Sequence, residues 1–325
     1  MSQITIVGLG LIGSSIGLGL KELGRDYTLV GHDKNRKAMD RAVKKGAVDT
    51  THWNLVAACE EADMIILAIP INDIAPTMQA IRQDLKPGCL IMDTAPLKRP
   101  VQKAADAYLP DNVHFIGSNP VLVGGEGLTV EDASAELFQG AIWTLCPLED
   151  AEIDAVKVAA NMVNALGATP YFLSPEEHDG LMAAAESLPL LLSGALMHAV
   201  SSNPSWREIR RLAGTQFDRV TAMPDFDPEA LTETVFDNRD NVIHWIEVMA
   251  AELQGWAQAL KNEDSEVIEE WFIAAQRERH HWLNLRESGD WDEILAERNA
   301  EYTGFFSRMF GAGAFSRKKN KLWKD

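Results

Sequence analysis

Six residues near the start of the chain have the types and spacing of an anion cradle. They are Gly8-Leu9-Gly10-Leu11-Ile12-Gly13, preceded by the apolar run Ile4-Thr5-Ile6-Val7 and followed by Ser14-Ser15-Ile16-Gly17. Gly8 permits a tight turn, Gly10 lets the backbone approach a pyrophosphate, and Gly13 lets a helix pack on a sheet. The helix start then offers unpaired N–H groups to phosphate oxygens. A strand, a glycine turn and a helix in this order predict a dinucleotide site rather than a bare turn. Asp33 closes the next apolar run, Tyr27-Thr28-Leu29-Val30-Gly31-His32. A carboxylate there accepts from ribose hydroxyls and repels a 2′-phosphate, which favours NAD over NADP, and it would equally cap a helix beginning near Asn35.

In an open α/β sheet the ligand lies beyond the carboxyl ends of the strands, so the strand exits carry the other candidates. Ala68-Ile69-Pro70-Ile71 offers Ile69 and Pro70 as walls for the cofactor, or simply a proline-fixed turn. Asp93-Thr94-Ala95-Pro96-Leu97-Lys98 would sit beside the nicotinamide, with Asp93 alternatively a helix cap. Gly117-Ser118-Asn119-Pro120-Val121-Leu122-Val123-Gly124-Gly125 reads as a polar loop at the end of the next strand. A loop so placed would meet a substrate hydroxyl through Ser118 or Asn119.

The elements that position these residues follow from periodicity. Apolar runs at 4–7, 27–32, 63–68, 89–93, 113–117, 141–146 and 169–173 alternate with helical patterns near 11–23, 35–45, 72–84, 98–107 and 150–166. This predicts an α/β, doubly wound, mostly parallel Rossmann-type sheet over residues 1–173. Ser174-Pro175-Glu176-Glu177 then starts an all-helical region, with serine as N-cap and proline at the first helical position. Seven of the nine tryptophans lie in the second half, including Trp291 and Trp323. So much aromatic surface suits a helical domain over 174–307 that also buries a homodimer interface. Residues 308–325 read as a basic tail.

The 325 residues, 46% of them hydrophobic, suffice for two cores, and a formal charge of −18 argues against nucleic acid or an anionic membrane as partner. The start lacks a signal-like stretch and no run reaches the about 18 apolar residues of a membrane span, so a soluble, cytoplasmic protein is expected. Cys59, Cys89 and Cys146 lack metal-ligand spacing and read as buried free thiols. His280 and His281 point about 100° apart on a helix and make a poor metal pair, so no metal is expected.

Val7 to Ser15 closely resembles the opening of the prephenate and arogenate dehydrogenases, and the resemblance spans most of the chain. It takes in Asp33, the stretch from Asp93 to Lys98, Gly117-Ser118-Asn119-Pro120, Thr144-Leu145-Cys146-Pro147 and Glu177-His178-Asp179. It continues through Trp206-Arg207-Glu208-Ile209-Arg210-Arg211-Leu212-Ala213, where Arg211 matches the substrate-binding arginine, and Asn238-Arg239-Asp240-Asn241. The resemblance implies an NAD-dependent oxidative decarboxylation of prephenate or arogenate, an anionic cyclohexadienol, in tyrosine biosynthesis. A planar, permanently charged Arg211 suits a carboxylate, and Arg207 four residues earlier would reinforce it, or both would be a solvated face.

Departures from the family fall on its chemistry. Asn119 stands where the family has a catalytic histidine, Pro96 where it has a supporting serine, and Ser187 and Leu190 where it has two histidines. Asparagine hydrogen-bonds but takes no proton near neutral pH. The candidate bases are therefore His178, Glu186 or a water between them, with Asn119 holding the hydroxyl. These changes also admit a diverged enzyme acting on another hydroxy, carbonyl or imine compound, or a non-catalytic NAD-binding sensor.

Overall fold

The computed structural model describes residues 2–24, 26–122, 127–222 and 228–289. Val123 to Glu126, Trp291, Trp323 and the proposed tail 308–325 lie outside the described residues. The chain divides into two compact units, Met1–Gln254 and Gly255–Asp325.

In the first unit, β1 (Ser2–Val7), β2 (Tyr27–His32), β3 (Thr50–Thr51), β4 (Met64–Leu67), β5 (Leu90–Asp93), β6 (His114–Val121), β7 (Ile142–Cys146) and β8 (Thr169–Phe172) form one sheet in the order β3-β2-β1-β4-β5-β6-β7-β8. All neighbours run parallel except β6 and β7. Both faces are covered, and residues alternate strictly between them. Ile6, Leu29, Ile66 and Met92 pack into one buried cluster, while Val7, Val30, Ile65, Leu67 and Ile91 pack into the other. Such strands read as continuous apolar runs because neither side chain direction meets water.

The helices over the sheet are α1 (Leu11–Glu22), α2 (Arg36–Lys45), α3 (Leu55–Cys59), α4 (Ile71–Ile81), α5 (Arg99–Tyr108) and α6 (Ile153–Ala165). The two-residue β3 and five-residue α3 were absent from the periodicity, being too short to show a period. The larger difference is β6. The expected loop at Ser118, Asn119 and Pro120 is strand, because antiparallel pairing with β7 places Asn119 opposite Thr144 and extends the ladder to Val121.

After β8 come α7 (Pro175–Met182), a π-helical turn (Ala183–Ser187), α8 (Leu188–Ser201), α9 (Trp206–Leu212), α10 (Thr215–Thr221), α11 (Pro228–Asp237) and α12 (Arg239–Lys261). Ser174 Oγ accepts from the Glu177 N–H and the Glu177 carboxylate accepts from the Ser174 N–H, the reciprocal cap that the sequence announces. The run Pro175–Ser201 is 27 residues long with a mean hydropathy of 1.5 and passes the length and composition test for a membrane span. This corrects the expectation that no stretch does so. Its first turn nevertheless buries His178 and Asp179 completely, and its later turns line a cavity of the protein.

The second unit holds the end of α12 and α13 (Ser265–Ser288), where Trp256 stacks on Trp271 at 5.3 Å and meets Phe272 edge-on at 4.9 Å. The three cysteines are buried and free, and burial pushes the Cys59 and Cys89 thiols up to about 12, so these thiols are inert at neutral pH.

Candidate active site

The glycine turn is built as a cradle. Gly8 has φ +97°, and a Cβ on it would lie 2.2 Å from the Ala68 carbonyl oxygen. A Cβ on Gly13 would lie 1.9 Å from the Gly8 carbonyl oxygen, so these two glycines are demanded by backbone contact. A Cβ on Gly10 would meet nothing within 4 Å. Gly10 is therefore spared for space, at the mouth where α1 begins and where Leu11, Ile12 and Gly13 present the first-turn N–H groups. The groove beside it, about 250 Å³, is lined by Gly8, Gly10, His32, Asp33, Ile69 and Pro70 among others. These residues fit a dinucleotide.

Asp33 anchors this turn. Its Oδ2 accepts from the Leu9 N–H at 2.8 Å and its Oδ1 from the Asn35 N–H at 2.7 Å, while Asn35 itself caps α2. The carboxylate thus shapes the loop and still turns acceptor lone pairs to the groove. Lys34, next to Asp33 in sequence, pairs with Asp73 at 2.5 Å.

Behind the cradle, the β5 exit carries a buried ionic floor. Lys98, 1% exposed, ion-pairs with Asp93 and donates to the Ser118 carbonyl at 2.6 Å. The Asp93 carboxylate also accepts from the N–H groups of Ser118 and Ala95 at 3.0 and 2.9 Å. Ser118 Oγ donates to the Asp93 carbonyl and accepts from Trp143 Nε1 at 3.1 Å. Asp93 and Ser118 are both 0% exposed. The side chains of Asp93 and Ser118, expected at the cofactor and the substrate, are buried and engaged in these protein contacts.

The second buried cluster joins the sheet to the helical segment. Asp179 Oδ1 accepts from the Lys98 N–H at 2.7 Å and from His178 Nδ1 at 2.9 Å. Its Oδ2 accepts from the Arg99 N–H at 2.9 Å and from Arg99 Nε at 3.3 Å. Because Asp179 only accepts here, His178 carries its proton on Nδ1 and leaves Nε2 as an acceptor, 3.3 Å from Asn119 Nδ2. Asn119 Oδ1 has no partner among the described residues. No enclosed side-chain polar atom there lacks one, so this oxygen lies at the accessible edge of the cluster. His178 is 0% and Asn119 7% exposed.

Arg99 extends the network: its two terminal nitrogens grip Asp240 at 2.8 and 2.7 Å, and one of them reaches Asn238 Oδ1 at 2.8 Å. Hydrogen bonds from Arg99 hold the Asp240 carboxyl well below the usual carboxylate range. Asn238 Nδ2 returns to the Asp179 carbonyl at 2.8 Å. Sequence reasoning missed Asp179, Arg99 and Lys98 as a unit. An acid directly after a histidine in a helix's first turn was the one available signal.

A cleft of about 790 Å³ opens beyond Pro70, which also lines the dinucleotide groove. Pro96, Glu186, Leu190, Ser193 and Arg219 line it, with α11 as a further wall tied to α4 by a hydrogen bond between Asn72 and Glu233. Glu186 stands on the π-helical turn, and its desolvation among these walls raises its carboxyl above the ordinary range. No hydrogen bond among the described residues joins Glu186 to His178. Arg207 and Arg211 lie on α9, both exposed, and neither lines the cleft. The cation in the cleft is Arg219, which sequence reasoning passed over as one charge on a polar helix.

The fold and this site define a dinucleotide-binding Rossmann protein with a buried histidine–aspartate pair between its sheet and its helical segment. Residues 16–172 match the model of the prephenate dehydrogenase nucleotide-binding domain, and residues 174–274 that of the prephenate dehydrogenase dimerization domain. The prephenate dehydrogenase of Lactococcus lactis is 30% identical over 287 residues, spanning 86% of this chain and 77% of the relative. The cyclohexadienyl dehydrogenase of Zymomonas mobilis is 27% identical over 279 residues, spanning 85% and 94%. A crystal structure of Aquifex aeolicus prephenate dehydrogenase with hydroxyphenyl propionate and NAD+ superposes with a TM-score of 0.79, at 22% identity, over 86% of this chain and 98% of that one. The chain belongs to the prephenate dehydrogenase family.

Proposed function

We propose that this chain is an NAD-dependent dehydrogenase that oxidatively decarboxylates prephenate or arogenate, in the cytoplasm and as a homodimer through its helical region. In this reading residues 1–173 hold the dinucleotide and residues 174–307 the substrate and the dimer contact. When bound, NAD supplies the acceptor for a hydride from the ring carbon that carries the hydroxyl. The hydroxyl proton passes to the base, the ring carboxylate departs as CO2, and its bonding pair enters the ring to give a phenolate, which takes the proton back to become a phenol.

The observation that carries this reading is the chain of contacts Asn119–His178–Asp179 at the β5 and β6 exits. Asn119 receives the hydroxyl at Oδ1. His178 Nε2 is the adjoining group able to take the proton, once its 3.3 Å contact with Asn119 opens. That contact is long for a hydrogen bond and correspondingly easy to give up. Asp179 keeps the imidazole in the required tautomer and stabilises the imidazolium that forms. Glu186, off this line, bounds the cleft and moves no proton here.

The test is formation of NADH with prephenate and with arogenate, alongside NAD binding. NADH should form with at least one, and His178→Gln should lower kcat by about a hundredfold or more, within the range of general-base effects, with NAD affinity retained. Tight NAD binding without turnover of either compound would remove the proposed activity and leave an NAD-binding protein of another kind.

A further inference from the structure

His32 ends β2 directly before Asp33, and the two residues hold the phosphate cradle in register. The His32 carbonyl accepts from the Gly8 N–H at 2.8 Å, as the Asp33 carboxylate does from the Leu9 N–H. The His32 side chain lies on the Val30 face of the sheet and is only 8% exposed, yet it lines the dinucleotide groove. Its Nδ1 is 2.9 Å from the His52 carbonyl oxygen, which can only accept, so the neutral ring carries its proton on Nδ1 and leaves Nε2 as an acceptor. Nε2 has no partner among the described residues. No enclosed side-chain polar atom there lacks one, so this nitrogen is reached from the groove that the ring lines.

A buried acceptor at this place faces one part of a dinucleotide. The pyrophosphate belongs at the start of α1 and the adenosine ribose at Asp33, so the next part outward is the base. Leu55, Ile69 and Pro70 give the groove apolar surface suited to a planar ring, while Lys34 and Asp73 on its rim pair with each other. We infer that His32 reads the adenine of the bound NAD, its Nε2 accepting a hydrogen bond from the exocyclic amine, the one donor group of that base. A purine with a carbonyl at the same carbon would set two acceptors against each other and strand the imidazole nitrogen. With its backbone tied to Gly8 and its Nδ1 to His52, the ring is oriented before any ligand arrives, which keeps the cost of this contact low. The inference rests on NAD as the cofactor and on nothing in the substrate or the chemistry.

The test is calorimetric titration of the full chain, without substrate, with NAD and with nicotinamide hypoxanthine dinucleotide. The two share the nicotinamide, both riboses and the pyrophosphate, and differ in the base, which in the second bears a carbonyl in place of the amine. NAD should bind about tenfold or more tightly, the scale of one stranded buried acceptor. His32→Phe keeps a planar ring of similar size and removes Nε2. It should raise the Kd for NAD to near that of the analogue and change the analogue's own Kd little. The lost Nδ1 contact falls on the exposed His52, and the Tm of the variant without ligand reports whether the strand end has held.

The comparison of the two dinucleotides on the unaltered protein stands even if His32→Phe does not fold. Equal affinities there, or a preference for NAD that survives in a folded His32→Phe protein, would overturn the assignment while leaving NAD as the cofactor. Binding of neither dinucleotide would remove NAD itself, and the assignment with it.

Discussion

Asp179→Asn is the substitution that bears most directly on how fold and chemistry are joined. Each carboxylate oxygen accepts twice, Oδ1 from the Lys98 N–H and His178 Nδ1, and Oδ2 from the Arg99 N–H and Nε. An amide replaces one oxygen by a donor, so whichever way it turns, two of these four donors lose their acceptor. If the amide NH2 faces Arg99, the backbone N–H and guanidinium there are stranded. If it faces His178, the imidazole must shift its proton to Nε2, which then no longer accepts. A stranded buried donor costs about 1–3 kcal/mol. With two lost and partial compensation by water near the half-exposed Arg99, the net loss is about 2–4 kcal/mol. At about 2–4 °C per kcal/mol for a protein of this size, Tm should fall by roughly 4–16 °C.

A wrong tautomer removes the base while leaving the residue in place, so kcat should fall by about 10²–10⁴. The assays are calorimetric unfolding and NADH formation with saturating NAD, with NAD affinity as the control for a folded cradle. Asp179 does not touch the glycine turn, so that affinity should hold. A variant keeping kcat within threefold and Tm within a degree would refute the assignment of Asp179 as the group that sets the tautomer of His178.

Gly10→Ala should fold normally, because its Cβ meets nothing within 4 Å, yet raise the Kd for NAD by at least about tenfold, as titrated by fluorescence. Gly13→Ala, with a Cβ 1.9 Å from the Gly8 carbonyl oxygen, should instead lower Tm in the absence of NAD, since it requires the turn itself to move. Asp33→Ala should relax the preference for NAD over NADP by about tenfold in kcat/KM; an unchanged preference would show that Asp33 serves only to hold the Leu9 and Asn35 N–H groups. Glu186 has a raised carboxyl, so its ionised form disfavours the folded state at pH values above its unfolded pKa and has no effect well below it. Glu186→Gln should therefore raise Tm at pH 7, only slightly because this side chain is exposed to solvent, and leave it unchanged at pH 3, by calorimetry across that range.

The dinucleotide half was legible in the sequence because its determinants are local. Turn glycines, apolar runs and the Ser174–Glu177 cap act over a few residues, and each reads the same in the chain and in the fold. Asp33 was visible for the same reason, lying at the end of β2. Asn238 and Asp240 were noticed as part of a family-like segment, but their role required the fold, which brings Arg99 to them from 139 and 141 residues away.

The candidate catalytic groups depend on such long-range meetings. Asn119 became a strand residue only because β7 pairs with it from across the sheet, and its contact with His178 spans 59 residues. Asp93 and Ser118 carried the right chemistry for ligands, yet the packing of Lys98 and Trp143 turned them inward. Arg211 and Arg219 are indistinguishable by residue type, and only the placement of α9 and α10 decides which of them lines the cleft. Sequence by itself determined what this protein holds, because a phosphate cradle is one turn of backbone. The tertiary structure decided which charges line the cleft, because side-chain direction depends on packing partners far away in the chain.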